Sequence, residues 1–103
     1  HICANTDAII ELMCETGVVG ISIEEKADLK RAVEIAHKKG VKVFGNVATA
    51  TTLFSGTPDE VYKEAIKTLE NGTDFLCPGC GIAPRSPLEN ILQLKKARDD
   101  FFK

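Results

Sequence analysis

Two stretches of the chain carry the residue types that could do chemistry. His1-Ile2-Cys3 lies at one end, and Cys77-Pro78-Gly79-Cys80-Gly81 lies towards the other. In extended backbone, residues two apart point the same way, so His1 and Cys3 can face one metal ion. A cysteine from the second stretch would complete a His-Cys-Cys set. Three protein ligands with an open fourth position is the catalytic form of a zinc site, whereas structural sites are usually closed by four. Zinc held by two thiolates suits activation of a thiol, because the metal lowers the thiol pKa and the substrate binds as the reactive thiolate.

The elements that must position these residues follow a strand-then-helix repeat. Apolar runs at residues 18–23, 41–47 and 75–77 are short, β-branched or aromatic, and bounded by turn residues, as buried parallel strands are. Between them, Leu29, Ala32, Val33 and Ala36 form one helical face, Val61, Ala65 and Leu69 a second, and Leu88, Ile91, Leu92 and Lys95 a third. An earlier helix is expected from near Asp7, capped by Asn5 or Thr6. Thr57-Pro58-Asp59-Glu60 and Ser86-Pro87-Leu88-Glu89 both read as capping boxes with proline at the first helical position. Gly17, Gly40 and Gly72 sit where a helix needs a left-handed C-terminal cap. Alternating strands and helices predict an α/β fold with a parallel sheet and right-handed crossovers. A closed eight-stranded barrel takes about 250 residues, so 103 residues would supply a little under half of one. A small open sheet is the alternative. No second domain is expected.

Functional groups of such folds gather where strands end. Those junctions hold His1 and Cys3, then Ser22, Glu24 and Glu25, then Asn46, and last Cys77 and Cys80. Glu24 is a candidate for lining the mouth, Asn46 for touching a ligand, and Arg85 for holding an anionic group such as a sulfonate. Against them stand plainer roles as helix-start carboxylate, loop support and surface cation. Cys14, beside Met13, reads as packing. Cys77 and Cys80 have the spacing of a redox dithiol or of half a closed zinc site. A redox pair needs its first cysteine at a helix N-terminus, and the next helix here starts only near Ser86. His37, ahead of Lys38-Lys39-Gly40, is a solvated helix-end residue without an assigned function.

Composition excludes several classes. The chain is 44% hydrophobic and 27% charged, with a net charge of -2. No basic stripe with interleaved aromatics is present, so a nucleic-acid surface is not expected. No apolar run approaches the roughly 18–20 residues of a membrane span. Four cysteines without a secretory signal point to a reducing cytoplasm. A start at His1, inside a motif and without an initiator Met, reads as truncation.

His1-Ile2-Cys3, Gly20-Ile21-Ser22-Ile23, Gly45-Asn46-Val47, Pro78-Gly79-Cys80-Gly81-Ile82 and Pro84-Arg85-Ser86-Pro87-Leu88-Glu89-Asn90 occur in this order. Together they resemble the methylcobamide:coenzyme M methyltransferases of the uroporphyrinogen decarboxylase-like superfamily. The resemblance covers essentially the whole chain. It implies the C-terminal part of a TIM (β/α)8 barrel, from the end of the fifth strand through the eighth helix. It also implies His1, Cys3 and Cys80 as zinc ligands, and methyl transfer from a methyl-corrinoid, carried on a separate corrinoid protein, to a small thiol such as coenzyme M. True decarboxylases of this layout resemble it but carry His where Cys80 stands and lack the His-x-Cys pair, which favours methyl transfer over porphyrinogen decarboxylation. One departure is Ala4, where many relatives are expected to have Gly.

Overall fold

A computed structural model describes residues 1–103. The order is a 3-10 turn, Asp7–Ile9, running into helix α1 (Ile10–Cys14), then β1 (Gly20–Ser22), α2 (Leu29–Lys38) and β2 (Lys42–Val47). A π-helical segment, Thr49–Phe54, follows, then α3 (Pro58–Glu70), β3 (Phe75–Pro78) and α4 (Leu88–Phe101). The strands form one parallel sheet in the order β1-β2-β3. A parallel bridge from Ile2 to Ile23 sets residues 1–3 beside the end of β1. The α/β class and the parallel sheet are therefore as expected.

Alternation along the strands decides what each face does. Ile21, Ile23, Val43 and Val47 are buried against the helices. Ser22, Phe44 and Phe75 lie on the opposite face, where the two phenyl rings stack with centroids 4.3 Å apart. The core divides into two clusters on the helix side. One joins Ile10, Met13 and Cys14 to Ile21, Ile23, Val43 and the predicted α2 face. The other joins Val47, Leu53, Val61, Ala65 and Ala97.

Local signals explain most boundaries. The Thr57 box forms in full: its hydroxyl accepts from the Glu60 N–H, and the Glu60 carboxylate accepts from the Thr57 N–H. Gly17, Gly40 and Gly72 all have positive φ (88°, 72° and 97°), the left-handed conformation their positions require. Asn5 caps the first turn by accepting from the Asp7 N–H.

Three expectations are corrected, and one element lies outside them. The Ser86 box does not form, because the Ser86 hydroxyl donates to the Ala83 carbonyl and α4 begins after Pro87 with no side-chain cap. The predicted α4 face is not the buried one: Leu88 and Leu92 are 68% and 52% exposed, while Asn90 and Ala97 are buried. Leu92 and Ile91 instead border an open cleft of about 510 Å³ shared with Phe75, Leu76 and Phe102. β1 is shorter than predicted, and Val18 and Val19 are exposed. The π-helical segment had no signal, since Thr49-Ala50-Thr51-Thr52 lacks an apolar period. No helix is long and apolar enough to cross a membrane.

Candidate metal centre

The bridge at Ile2 turns His1 and Cys3 to the same side, as period-two geometry demands. Cys3 Sγ lies 3.4 Å from His1 Nε2 and 3.4 Å from Cys80 Sγ. The ligand atoms of His1, Cys3 and Cys80 all fall within 4.8 Å of one another, a spacing that one metal ion can bridge. His1 and Cys3 are exposed and Cys80 is half-buried, so the group is open to solvent on one side.

The backbone around each ligand is held from below. Ala4, next to Cys3, has φ of 67°, a left-handed conformation that glycine adopts freely and alanine does not. Its N–H donates to the Glu24 carboxylate. The Glu24 carbonyl in turn accepts from the buried Asn46 amide at 3.2 Å. Farther along, the Asp7 carboxylate accepts from the Asp28 N–H, and Arg31 donates to the Asp7 carbonyl at 2.7 Å. On the other side, Gly79 donates its N–H to the Val47 carbonyl at 2.8 Å, which sets Cys80 just past the end of β3. A side chain at Gly79 would strike the Glu24–Glu25 backbone. That close crossing brings the Cys80 loop over the end of β1.

The Cys80 hydrogen bond and negative charge push the Cys3 thiol above its ordinary value, with Glu24 adding to them. Two thiols this close disfavour a second negative charge until a cation joins them. Burial raises Cys77 and Cys14. Cys14 is core, as predicted. Cys77 pairs in register with Asn46 within the sheet and is outside the three-residue group.

Of the other predicted site residues, Glu24 and Asn46 are buried and linked to the ligand loop as described. Arg85 is exposed on the loop between Cys80 and α4 and forms no ion pair. His37 is not simply solvated. Its Nε2 donates to Asp74 at 2.8 Å, and the same oxygen accepts from the Val43 N–H, tying α2 to the sheet. Ser22 was legible only as a strand-end residue, although its carbonyl and hydroxyl both meet His1 Nδ1. Glu64 escaped notice altogether. It accepts from the Ala48 N–H and the Thr52 hydroxyl and so anchors the π-helical segment.

Residues 1–101 match the family model described as uroporphyrinogen decarboxylase (URO-D). The chain is 41% identical over 103 residues to the methylcobamide:CoM methyltransferase MtaA of Methanosarcina barkeri, covering 99% of this chain and 30% of that protein. It is 33% identical over 101 residues to the methylcobamide:CoM methyltransferase MtbA of Methanosarcina acetivorans, covering 98% and 29%. A solved methyltransferase from Methanosarcina mazei superposes with a TM-score of 0.93 at 42% identity, covering 100% of this chain and 31% of that one. The chain thus spans about 30% of the length of the curated relatives it matches.

Proposed function

The chain belongs to the uroporphyrinogen decarboxylase family, and on that premise we propose that it is the metal-binding segment of a zinc-dependent methyltransferase. The methyl donor is a methyl-corrinoid delivered on a separate corrinoid protein, and the acceptor is a small thiol such as coenzyme M. The segment is assigned from the end of the fifth barrel strand through the eighth helix, and the reaction to the cytoplasm, where its thiols stay reduced.

The observation that carries this reading is the convergence of His1, Cys3 and Cys80 at the strand ends, with one side left open. Donor atoms about 2.0–2.3 Å from a tetrahedral zinc lie roughly 3.5–3.8 Å apart. The 3.4 Å separations differ from this by a few tenths of an ångström. Two thiols and an imidazole are also the soft and borderline donors zinc favours. Zinc held there would supply a Lewis acid that draws down the pKa of the incoming thiol, so that it is bound as the thiolate nucleophile.

The chain's own residues have separable tasks. His1, Cys3 and Cys80 would hold the metal, and the open side of the group would admit the substrate thiol. Asn46 and Glu24 hold the Cys3–Ala4 turn in place. Arg85, free of other charges on the loop after Cys80, offers a cation for an anionic tail such as a sulfonate. In the transfer itself the thiolate sulfur attacks the methyl carbon. The carbon–cobalt bond breaks with its electron pair left on cobalt, giving a thioether and a Co(I) corrinoid.

The test uses protein made from the complete reading frame, with Cys80→Ala and Cys77→Ser beside the wild type. Zinc content is measured, and loss of methylcobalamin absorbance is followed with coenzyme M and a panel of other thiols. Thiol-dependent demethylation that disappears on zinc removal and in Cys80→Ala, but persists in Cys77→Ser, is the expected result. Bound zinc without turnover of any thiol would point to a structural site. Absence of zinc together with porphyrinogen turnover would move the protein to the decarboxylase branch.

A further inference from the structure

We propose that Ser22 is a positioning residue of the metal centre, whose carbonyl and hydroxyl oxygens hold His1 in the tautomer and orientation that present Nε2 to the metal. The inference rests on the zinc reading above and concerns how this chain prepares the histidine.

The geometry is specific to one ring nitrogen. His1 Nδ1 lies 3.1 Å from the Ser22 carbonyl oxygen and 3.0 Å from the Ser22 Oγ. A neutral imidazole has one N–H and one lone pair, and a hydroxyl can serve either. A backbone carbonyl can only accept. The carbonyl contact therefore requires the proton on Nδ1, where it is shared between two oxygens as a three-centre hydrogen bond. The lone pair is left on Nε2, the atom that lies 3.4 Å from Cys3 Sγ.

The fold explains why Ser22 is the residue in place. Ile2 bridges to Ile23, so His1 stands beside Ser22 on the face of the sheet away from the helices. β1 ends at Ser22, and the next residue, Ile23, donates its N–H to the Phe44 carbonyl. The Ser22 hydroxyl is directed to the ring and has no other hydrogen-bond partner. Alanine at this position keeps the carbonyl and loses the second acceptor, so the ring gains freedom to rotate and to exchange tautomers. Ligand histidines depend on such outer partners for both orientation and basicity, and losing one typically lowers metal affinity about 10–100-fold. With the carbonyl retained, the lower end of that range is expected.

The experiment compares wild type, Ser22→Ala and Ser22→Thr, each made from the complete reading frame. Zinc affinity is read by competition with a chromophoric chelator, and the release rate by transfer to excess chelator. The unfolding midpoint of the metal-free protein is measured in parallel. Ser22→Ala is expected to bind zinc about tenfold more weakly and to release it faster, with the metal-free midpoint unchanged. Ser22→Thr, which keeps the hydroxyl, is expected to restore both. Affinity in Ser22→Ala within about twofold of wild type would overturn the proposal, being far below a lost partner's usual effect. A loss that Ser22→Thr does not restore, or one accompanied by an equal loss of the metal-free fold, would also overturn it. A wild type that binds no zinc would overturn this inference and the reading beneath it together, whereas a wild type that binds zinc with Ser22→Ala unaffected removes only this one.

Discussion

Replacing Gly79 by alanine would place a methyl carbon 2.7 Å from Glu25 Oε2, 3.0 Å from the Glu25 backbone nitrogen and 3.3 Å from Glu24 Cα. The carboxylate can swing away, but the two backbone atoms cannot. Restoring ordinary contact means lifting the Gly79–Cys80 backbone by about 0.4 Å, an overpacking strain of about 1–3 kcal/mol. Metal–ligand distances tolerate only about ±0.2 Å, so on the proposed zinc reading Cys80 could not follow the lift and still share a metal with Cys3. If the strain appears in metal binding, it corresponds to about 5–150-fold in zinc affinity, at 1.4 kcal/mol per tenfold. The matched control lies on the other side of the same cysteine: a methyl group at Gly81 meets nothing within 4 Å. Chelator competition on Gly79→Ala and Gly81→Ala is therefore expected to give at least about a fivefold loss in the first and no measurable change in the second. Equal affinity in the two variants, in either direction, would refute the argument that the Cys80 loop is held down by its crossing over the end of β1.

Three further outcomes follow from other parts of the fold. Asn90 is 1% exposed and its amide donates to the Leu53 and Gly56 carbonyls at 3.0 and 2.9 Å. Asn90→Ala strands both acceptors and is expected to lower stability by about 2–4 kcal/mol in chemical denaturation, a change below about 0.5 kcal/mol contradicting it. Burial pushes the Asp74 carboxyl up, but the His37 hydrogen bond and the Val43 N–H outweigh it and leave the group below its ordinary value. A carboxylate with a depressed folded pKa stabilises above its unfolded pKa of about 3.9 and loses that contribution as pH falls through the folded value. Asp74→Asn is thus expected to be less stable than wild type at pH 7, with the gap closing below about pH 4 in parallel denaturation curves; a gap unchanged down to pH 2 would contradict it. Ala4→Gly removes the left-handed strain beside Cys3, worth about 1–2 kcal/mol, against about 0.5–1 kcal/mol of added chain freedom. A small gain in thermal stability is expected, and a clear loss would show that the Ala4 methyl makes a contact that outweighs its strain.

What the sequence could and could not reveal has physical reasons. His1 and Cys3 were legible because an extended segment has a fixed period, and the bridge at Ile2 keeps that period intact. Cys77 and Cys80 were harder, since their spacing suits several chemistries. β3 runs through Pro78, so Cys77 stays in the sheet beside Asn46 and only Cys80, beyond the Gly79 crossing, reaches Cys3. The last helix was misread because apolar periodicity assumes that leucines are buried. On α4 the buried positions are Ala97 and Asn90, the latter a polar residue that satisfies two backbone carbonyls of the segment before α3, and no hydrophobic pattern reports that. Likewise the hold on Ala48 and Thr52 comes from Glu64, a half-buried carboxylate on α3 that is part of no motif. Contacts made by backbone carbonyls, such as that of Ser22, leave almost no trace in residue types.

The separation that the candidate metal centre must overcome explains a glycine that weakens the strand it occupies. Residues 1–3 and β3 lie on opposite sides of the β1–β2 pair, and three strand spacings across a flat sheet would part them by roughly 14 Å. Cys3 and Cys80 nevertheless come to 3.4 Å, which requires the sheet to curl and both strand-end loops to lean inward. Curling crowds the face away from the helices, where Phe44 lies. A Cβ at Gly20, on that same face, would sit 2.7 Å from the Phe44 ring. Glycine inside a strand forfeits packing and chain entropy but permits such close approach. Gly20 therefore belongs to the geometry of the candidate metal centre, although it touches none of His1, Cys3 and Cys80. An alanine at Gly20 must displace a ring that stacks on Phe75, and any flattening this causes acts across the full width of the sheet, drawing Cys3 and Cys80 apart.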